Sequence, residues 1–497
     1  MSVASVRLPV SLRWRLLVLG CGVVFGLFAA EFPGSGVLVV AGVVVLCLAT
    51  ALTNWRITAA GLAIYTVLAG FVTVATFPVT ATASLVKDVL FVIPLYLGLV
   101  ADPVARRSAR ALWDEHRWVV RCAFAFASVV ILQMFNPNLP SQVIGLVGLR
   151  VWILYIPFLL VGFVLGRQGR AASVIGYLAA VAAVPLAVGI AQAVLMRMGL
   201  SELATFWYGE AAPAITQRFA TFEVGGGVIT RVASTLPHTA QYFALTMAAT
   251  AVGLALVSGG ARKGPSVRSR IFLGLAVVAG LLSGARGALF SVPLLVFLFL
   301  VVPSPAAARI QAVGIGGRRP GRFGVVVLAT LALAAASAVL RVDTVEVGSY
   351  LGEVASAEFT DLVIDGTTEA LDSTLVGLGT GSNTNATRYL SPGRTLVVDR
   401  WLESWYVKAL VELSIVGVAV QLALVASVLF ALLRVARRSN LGAGLRGLPA
   451  AAIALVSWTA LYAAKGGFMD TEPMNMLFWF VPGLALGAER PAAAGDA

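Results

Sequence analysis

The sequence predicts an all-α polytopic membrane protein with about fourteen transmembrane helices and two large extracytoplasmic loops. Of its 497 residues, 59% are hydrophobic and 12% are charged, about half the charge of an ordinary soluble domain. Apolar runs near the roughly 20 residues that a bilayer-spanning helix needs follow one another almost end to end. The 50 glycines show no collagen-like period, and membrane helices tolerate glycine well. Soluble cytosolic enzymes, disordered chains and coiled coils are excluded.

The predicted spans include the N-terminal apolar segment, because no small-residue cleavage site follows its short apolar core. The spans cover residues 16–31, 36–52, 57–77, 84–101, 118–135, 151–166, 172–195, 238–257, 271–283, 287–302, 323–340, 404–433, 449–465 and 473–488.

The positive-inside rule orients these spans. With the N-terminus in the cytoplasm, 24 of the 36 basic residues fall inside and 18 of the 23 acidic residues fall outside. Both termini are then cytoplasmic, in a multi-pass protein of the cell's inner membrane. The net charge of +13 is therefore an orientation signal, and no nucleic-acid partner is expected.

Two outer segments are too long to be simple turns, and long loops in compact proteins are usually functional. They are residues 196–237 and 341–403. We predict N-terminal transmembrane helices over 1–135, a functional core over 136–435, and a C-terminal hairpin with a cytoplasmic tail over 436–497.

Metal and disulfide chemistry have little support. The three cysteines, Cys21, Cys47 and Cys122, lie in or beside apolar runs, where they are expected to pack. The two histidines, His116 and His238, form no cluster, and CxxC and HExxH motifs are absent from the sequence. No metal site and no cofactor are predicted.

Charged residues collect at the outer ends of spans that run inward, where each helix begins. They are Arg150 before span six, Arg231 and His238 around the start of span eight, Arg286 between spans nine and ten, and Glu403 and Glu412 at span twelve. Helix N-termini attract anions, and guanidinium groups add a fork for phosphate oxygens. Ser234 or Thr235 is predicted to cap span eight. Two or three such ends facing one point would hold a diphosphate without a metal.

Each arginine and histidine also has a structural interpretation. Spans nine and ten are short, so the turn with Arg286 is expected to dip into a cavity, although an interfacial snorkelling arginine is the alternative. Arg231 has the alternative of pairing with a glutamate of loop 196–237. The alternative for His238 is a histidine at the membrane interface whose hydrogen bonds are satisfied within the protein. The alternative for Arg150 is an anchor at the flank of its span.

The second long loop ends near a carboxylate. Glu403 lies beside Trp401, Trp405 and Tyr406, so a general base is one interpretation, with the aromatic residues forming an interfacial belt or a sugar platform. The eight acids between 343 and 372 predict a solvated outer face. The segment "GLGTGSNTN", which follows them at 377–385, is predicted to be a flexible turn.

Four segments together resemble the O-antigen ligase and O-antigen polymerase superfamily of bacterial membrane glycosyltransferases. They are "FNPNLPSQVIGLVGLRVWILYIPFL"; "RVASTLPHTAQYFALTMA", with Arg231 at the family's arginine; "LLSGARGALFSVPLLVFLFL", with Arg286; and "GLGTGS" followed by "ESWYVKALVELSIVG". In the last segment Glu412 and Gly417 match the family, whereas Ser414 replaces a glycine. Family ligases usually carry a histidine where this chain has Glu403.

The resemblance implies metal-independent, inverting transfer of a glycan from a polyprenyl-diphosphate donor to an acceptor glycan. Arg231, Arg286 and Arg150 would bind the diphosphate. Glu403 or His238 would be the base. Trp405, Tyr406 and Glu412 would bind the acceptor. Other polysaccharide-assembly proteins are candidate partners.

Alternatives remain open within and outside this class. A ligase would join the glycan to a lipid or another acceptor. A lipid-linked glycan flippase or other transporter would also use about fourteen spans, but usually lacks two long loops on one face. A non-catalytic scaffold would explain the loops but not the charged residues at the helix ends.

Overall fold

In the part of the chain that it describes, the computed structural model consists of helices joined by turns and loops, with one short hairpin of two strands. That part comprises residues 36–75, 85–211, 221–224, 227–259, 266–285, 287–302, 360–384, 387, 403–438, 441 and 443–489. The predicted spans 16–31 and 323–340 lie outside the described residues.

The chain forms two compact units, Met1–Thr66 with Ala75–Arg107, and Val67–Val74 with Ser108–Ala497. The predicted functional division at residues 135 and 435 stays a prediction.

The first helices are interrupted at defined residues. They are α1 (Gly36–Ala75), a π-helical turn (Asp88–Val92), α2 (Ile93–Ala101) and α3 (Pro103–Glu115). The backbone leaves the helical region at Asn54, between the predicted spans 36–52 and 57–77. In the first unit the Trp55 indole donates to Asp102 at 2.8 Å, and Gly98 packs against the Ala51 carbonyl.

The remaining helices belong to the second unit. They are α4 (Arg117–Met134), α5 (Gln142–Ile153), α6 (Phe158–Arg167), α7 (Ala171–Arg197), α8 (Ser201–Thr205), α9 (Thr239–Ser258), α10 (Val267–Leu282), α11 (Ala288–Val301), α12 (Gly366–Ser373), α13 (Trp405–Arg437), α14 (Leu448–Tyr462) and α15 (Met474–Gly487). Short 3-10 turns cover Phe206–Ala211 and Ala443–Leu445, and a π-helical turn covers Thr360–Asp365. Strands β1 (Thr221–Val224) and β2 (Gly227–Thr230) pair antiparallel, with Thr221 opposite Thr230.

The apolar helices support a membrane protein, but the fourteen-span count is not confirmed. Among the described residues, six helices are long and apolar enough to cross a bilayer, or seven if the pair Leu85–Ala101 and Pro103–Glu115, bent by 86°, is one span. The apolar helices α11, α14 and α15 are shorter, with 14, 15 and 14 residues. At 1.5 Å per residue they reach only about 21–23 Å, less than the hydrocarbon thickness.

Two ion pairs join the ends of different helices. Arg167 pairs with Glu115, and Arg438 pairs with Glu489, which joins segments predicted on one side of the membrane. Segments predicted on the other side also meet one another, as described below. The cytoplasmic assignment of either side stays a prediction.

Parts of both predicted outer loops fold back into the protein. In 196–237, Tyr208, Val232 and Leu236 are at most 2% exposed. In 341–403, the segment from Gly379 to Thr384 is buried. These segments shape the candidate site.

Candidate functional site

The segment Arg231–His238 connects β2 to α9 and is fixed through its backbone. The Val232 N–H donates to the Ser283 carbonyl at 3.1 Å. Gly284 has a φ of +74°, and a Cβ there would come within 2.4 Å of the Thr230 carbonyl oxygen. Only glycine fits this turn, so the loop between α10 and α11 lies directly against the backbone of Arg231.

Ser234 is the most strongly tethered residue of this segment. It is fully buried with a φ of +56°. Its N–H donates to Gln192 Oε1 at 2.7 Å, its hydroxyl donates to the Pro185 carbonyl at 2.5 Å, and its carbonyl accepts from the Tyr208 hydroxyl. Pro185 lies inside α7, so this hydrogen bond ties the segment to the middle of that helix. The neighbouring Thr235 hydroxyl donates to a carbonyl of α1.

His238, and neither Ser234 nor Thr235 as predicted, caps helix α9. Its Nδ1 accepts from the Ala240 N–H at 3.2 Å, while the two hydroxyls are used in contacts with other helices. Burial and the charge of Arg231 lower the pKa of His238, so its ring is neutral near pH 7. Because Nδ1 accepts the cap hydrogen bond, the ring proton is assigned to Nε2.

Tyr462, at the end of α14, joins this segment to the start of α13. The charges of Arg231 and Glu403 both act on the Tyr462 hydroxyl. Glu403 is exposed, one residue before Ser404, whose hydroxyl caps α13. We call Arg231, His238, Glu403 and Tyr462 the arginine cluster.

Arg286 lies outside the described residues, so its predicted cavity position stays a prediction. Its neighbours on both sides are described. Gly284 contacts the Arg231 backbone, and a Cβ on Gly287 would lie 3.1 Å from the Tyr462 hydroxyl. Gly284, two residues before Arg286, and Gly287, directly after it, therefore both pack against residues of the arginine cluster.

The "GLGTGS" segment is a buried, hydrogen-bonded loop, and its prediction as a flexible turn is wrong. Thr380 is fully buried, and its hydroxyl donates to the Val130 carbonyl at 2.8 Å. Gly379 and Gly381 have φ values of +101° and +90°, and a Cβ on Gly381 would come within 2.3 Å of the Ile144 carbonyl oxygen. The glycines permit close packing against α4 and α5.

Glu412 holds this loop from inside helix α13. Its Oε2 accepts from the Trp152 indole at 2.7 Å and from the Gly381 N–H at 2.8 Å, and its Oε1 accepts from the Asn383 N–H at 3.0 Å. The side chain is fully buried. The helix is interrupted two residues later, where Ser414 has a φ of +73°. Glycine, the residue of the resembled family there, adopts this conformation without a Cβ penalty.

One turn earlier, Lys408 lies among aromatic rings and carboxylates. Its Nζ is 5.1 Å from the centre of the Trp405 ring, 5.9 Å from that of Trp152, and 2.9 Å from Asp470 Oδ2. The two tryptophan rings are 4.2 Å apart. We call Trp152, Trp405, Lys408, Glu412 and Asp470 the lysine cluster.

The three predicted acceptor-binding residues all have contacts within the protein. Trp405 is 2% exposed and its backbone N–H donates to the Ala463 carbonyl at 2.9 Å. The Tyr406 hydroxyl donates to the Ala460 carbonyl at 2.7 Å. Glu412 is buried and accepts hydrogen bonds from three donors. The contacts of Trp405, Tyr406 and Glu412 therefore fix the position of the start of α13.

Arg150 does not precede its helix as predicted. Helix α5 begins at Gln142, because the Ser141 hydroxyl accepts from the Val143 N–H and caps it well before the predicted span. Arg150 is half-buried in the last turn of α5.

Sequence reasoning missed Lys408, Asp470, Tyr462 and Gln192 as contributors. A signal existed for Lys408, a lysine four residues before a glutamate within an apolar span. The other three had none, because their contacts join distant parts of the chain.

The described residues contain no group of three or more His, Cys, Asp or Glu side chains that would hold a metal ion.

Comparison with protein-family models finds no match for this chain, and comparison with curated proteins finds none either. The resemblance to O-antigen ligases and polymerases therefore stays a prediction.

Proposed function

We propose that this protein transfers a glycan from a polyprenyl-diphosphate-linked donor to an acceptor glycan, as an O-antigen polymerase does. The reaction would take place on the extracytoplasmic side of the bacterial inner membrane, in a protein of about fourteen spans with both termini in the cytoplasm. Lipid-linked oligosaccharide, acceptor glycan and the bilayer are its partners, with other polysaccharide-assembly proteins as further candidates.

The arginine cluster is the observation that carries the proposal. The charges of Arg231 and Glu403 both act on the Tyr462 hydroxyl, and the charge of Arg231 also acts on His238. The ends of α9, α13 and α14 that carry these residues contact one another. Cationic and N–H donor groups stabilise a leaving diphosphate, and a carboxylate within reach accepts the proton of an attacking hydroxyl.

In the proposed step, the acceptor hydroxyl oxygen attacks the anomeric carbon from the face opposite the diphosphate. The bond between that carbon and the diphosphate oxygen breaks with inversion, and the diphosphate leaves with both electrons. The hydroxyl proton goes to Glu403. Arg231, with Arg286 and Arg150 as further candidates, balances the negative charge that develops on the diphosphate.

The structure supports Glu403 over His238 as the base. The lone pair of His238 Nδ1 is used in capping α9, and Nε2 carries the proton of the neutral ring. His238 is therefore suited to donate a hydrogen bond to a diphosphate oxygen, and Glu403 to accept the proton.

The decisive experiment uses purified protein in liposomes. The substrate is the lipid-linked oligosaccharide that accumulates in cells lacking the protein. Lengthening of the lipid-linked chain supports a polymerase. Transfer to a different lipid would support a ligase. Translocation across the bilayer without transfer would overturn the proposal in favour of a flippase.

Variants connect the activity to the site. Arg231→Ala should lower the transfer rate about 10²–10³-fold, as loss of a preorganised charge-stabilising donor does. The matched control is Arg270→Ala, an exposed arginine near the start of α10. Equal rates for the two variants would remove Arg231 from the site.

A further inference from the structure

The connection between α14 and α15 is part of the candidate site, although the sequence placed it in a separate C-terminal hairpin. These helices have 15 and 14 residues and are each shorter than a bilayer core. Phe468 and Met469 of the connection are 5% and 8% exposed. The Phe468 ring stacks on Tyr462 of the arginine cluster at 4.5 Å and 7°. The connection therefore folds into the helical bundle.

Asp470 is the point at which the lysine cluster reaches solvent. Its N–H donates to the Gly467 carbonyl at 3.2 Å, which forms a tight turn. Its Oδ2 binds Lys408 Nζ at 2.9 Å. The Asp470 side chain is 29% exposed, whereas that of Lys408 is 8% exposed. A ligand at this position meets the aspartate first and the lysine behind it.

Two buried donors of the lysine cluster have unused hydrogen-bonding capacity. Within the described part of the chain, Asp470 is the hydrogen-bond acceptor for Lys408 Nζ, an ammonium with three N–H groups. Trp405 Nε1 is buried and has no hydrogen-bond partner among the described residues. Buried polar atoms without partners are rare in native proteins and require an explanation.

We propose that Asp470, Lys408 and Trp405 form a subsite for a sugar of the acceptor glycan, an inference that rests on the proposed function. A sugar carries neighbouring hydroxyl groups, each of which is both a donor and an acceptor. One hydroxyl donates to Asp470, and its neighbour accepts from the Lys408 ammonium and the Trp405 indole. The pairing of Lys408 with Asp470 and the nearby charge of Glu412 disfavour an anionic ligand here.

The position fits the acceptor better than the donor. The loop that carries Asp470 also carries Phe468, which stacks on Tyr462, and Tyr462 lies in the field of Glu403. Asp470 binds Lys408 in the first turns of α13, so an acceptor held there lies at the end of α13 that follows Glu403, the proposed base for its hydroxyl proton. The diphosphate end of the donor belongs with Arg231.

The test separates acceptor binding from chemistry in the liposome assay. Asp470→Asn keeps the side-chain shape, and we expect it to raise the acceptor KM about tenfold or more while the donor KM stays unchanged. Lys408→Met should shift the same constant. The control is Asp372→Asn, an exposed aspartate on α12. An acceptor KM within twofold of wild type in both Asp470→Asn and Lys408→Met would overturn the subsite.

A binding measurement distinguishes failure of the subsite from failure of the proposed function. Its probe is the oligosaccharide released by mild acid from the accumulated lipid-linked material, titrated calorimetrically into protein in nanodiscs. Binding that Asp470→Asn weakens about tenfold supports the subsite even if wild type transfers no glycan. Transfer by wild type with unweakened binding in Asp470→Asn overturns the subsite alone. No transfer and no binding by wild type overturn both.

Discussion

The two clusters at the start of helix α13 contain similar side chains but hold them differently. In the lysine cluster, Glu412 is buried and each of its carboxylate oxygens accepts hydrogen bonds from within the protein. In the arginine cluster, Glu403 is exposed, and Arg231 is positioned by backbone contacts on either side of it. Two glutamates nine residues apart therefore have different expected roles.

This comparison indicates that a charged residue inside an apolar span and a charged residue at the end of the span have different roles, the first in the fold and the second in chemistry. Glu412 organises the 377–384 loop and connects α13 to α5, so its removal should disturb the fold. Among the residues that the structure describes, Glu403 makes no hydrogen bond comparable to those of Glu412, so its removal should disturb chemistry. Four experiments follow, from the largest expected effect to the smallest.

Replacing Glu412 should have the largest effect. Glu412→Ala leaves the Trp152 indole and the N–H groups of Gly381 and Asn383 buried without an acceptor, and we expect a loss of roughly 3–5 kcal/mol of stability. Thermal unfolding in detergent measures it. The matched control is Glu403→Ala, which should unfold like wild type. Equal unfolding temperatures for the two variants would contradict the structural role of Glu412.

Replacing Glu403 should have the next largest effect, on rate alone. Glu403→Gln keeps the size of the side chain but cannot take a proton, so we expect about a 10²-fold slower transfer with unchanged unfolding. His238→Asn, which retains a capping side chain, should be affected much less. The reverse order of the two rates would make His238 the base.

Gly284 tests the backbone contact that places Arg231. Gly284→Ala adds a Cβ within 2.4 Å of the Thr230 carbonyl at a φ of +74°, which should cost about 1–3 kcal/mol and lower activity. Gly274→Ala in helix α10 is the control, because nothing lies within 4 Å of its Cβ position. It should be neutral or slightly stabilising. Unfolding temperature and transfer rate measure both variants.

The smallest expected effect is a pH dependence of stability. Burial and Arg231 lower the pKa of His238 below its ordinary 6.5, so the folded protein binds fewer protons than the unfolded chain. Stability is then full above about pH 6.5 and falls as the pH decreases below it. We expect His238→Asn to reduce the fall in unfolding temperature between pH 7.5 and pH 5.5.

His116 provides the matched comparison for that measurement. Burial also lowers its pKa, with the charges of Arg434, Arg438 and Arg167 acting in the same direction against that of Glu489. His116→Gln should therefore reduce the same pH dependence without changing transfer. A pH dependence that neither substitution alters would contradict both assignments.

The local sequence pattern predicted the positions of the helices well, but not which of them are long enough to cross a bilayer. Predicted spans such as 118–135, 172–195 and 238–257 coincide with helices to within a few residues, because apolar runs form helices wherever backbone polar groups lack water. The count of fourteen is not confirmed, because α11, α14 and α15 are shorter than the bilayer core and the predicted spans 16–31 and 323–340 lie outside the described residues.

The local structure around the candidate residues was predicted in part. The "RVASTLPH" segment and Glu412 were selected from their position and their resemblance to a family; the segment leads into α9, Glu412 lies within α13, and their functional roles stay predictions. The roles of Ser234 and Glu412 differed from expectation, since hydroxyls and carboxylates bind whichever donors and carbonyls the fold brings near.

Composition and charge pattern alone determined a helical membrane protein with an ordered series of apolar segments, since the water-free bilayer permits few other structures for such a chain. The tertiary structure decided which charges meet. The distances from Lys408 to Asp470 and from Gly284 to the Arg231 backbone join residues 53 to 62 positions apart, and no local periodicity encodes such pairings. Close packing of glycines and the completion of buried hydrogen bonds select them.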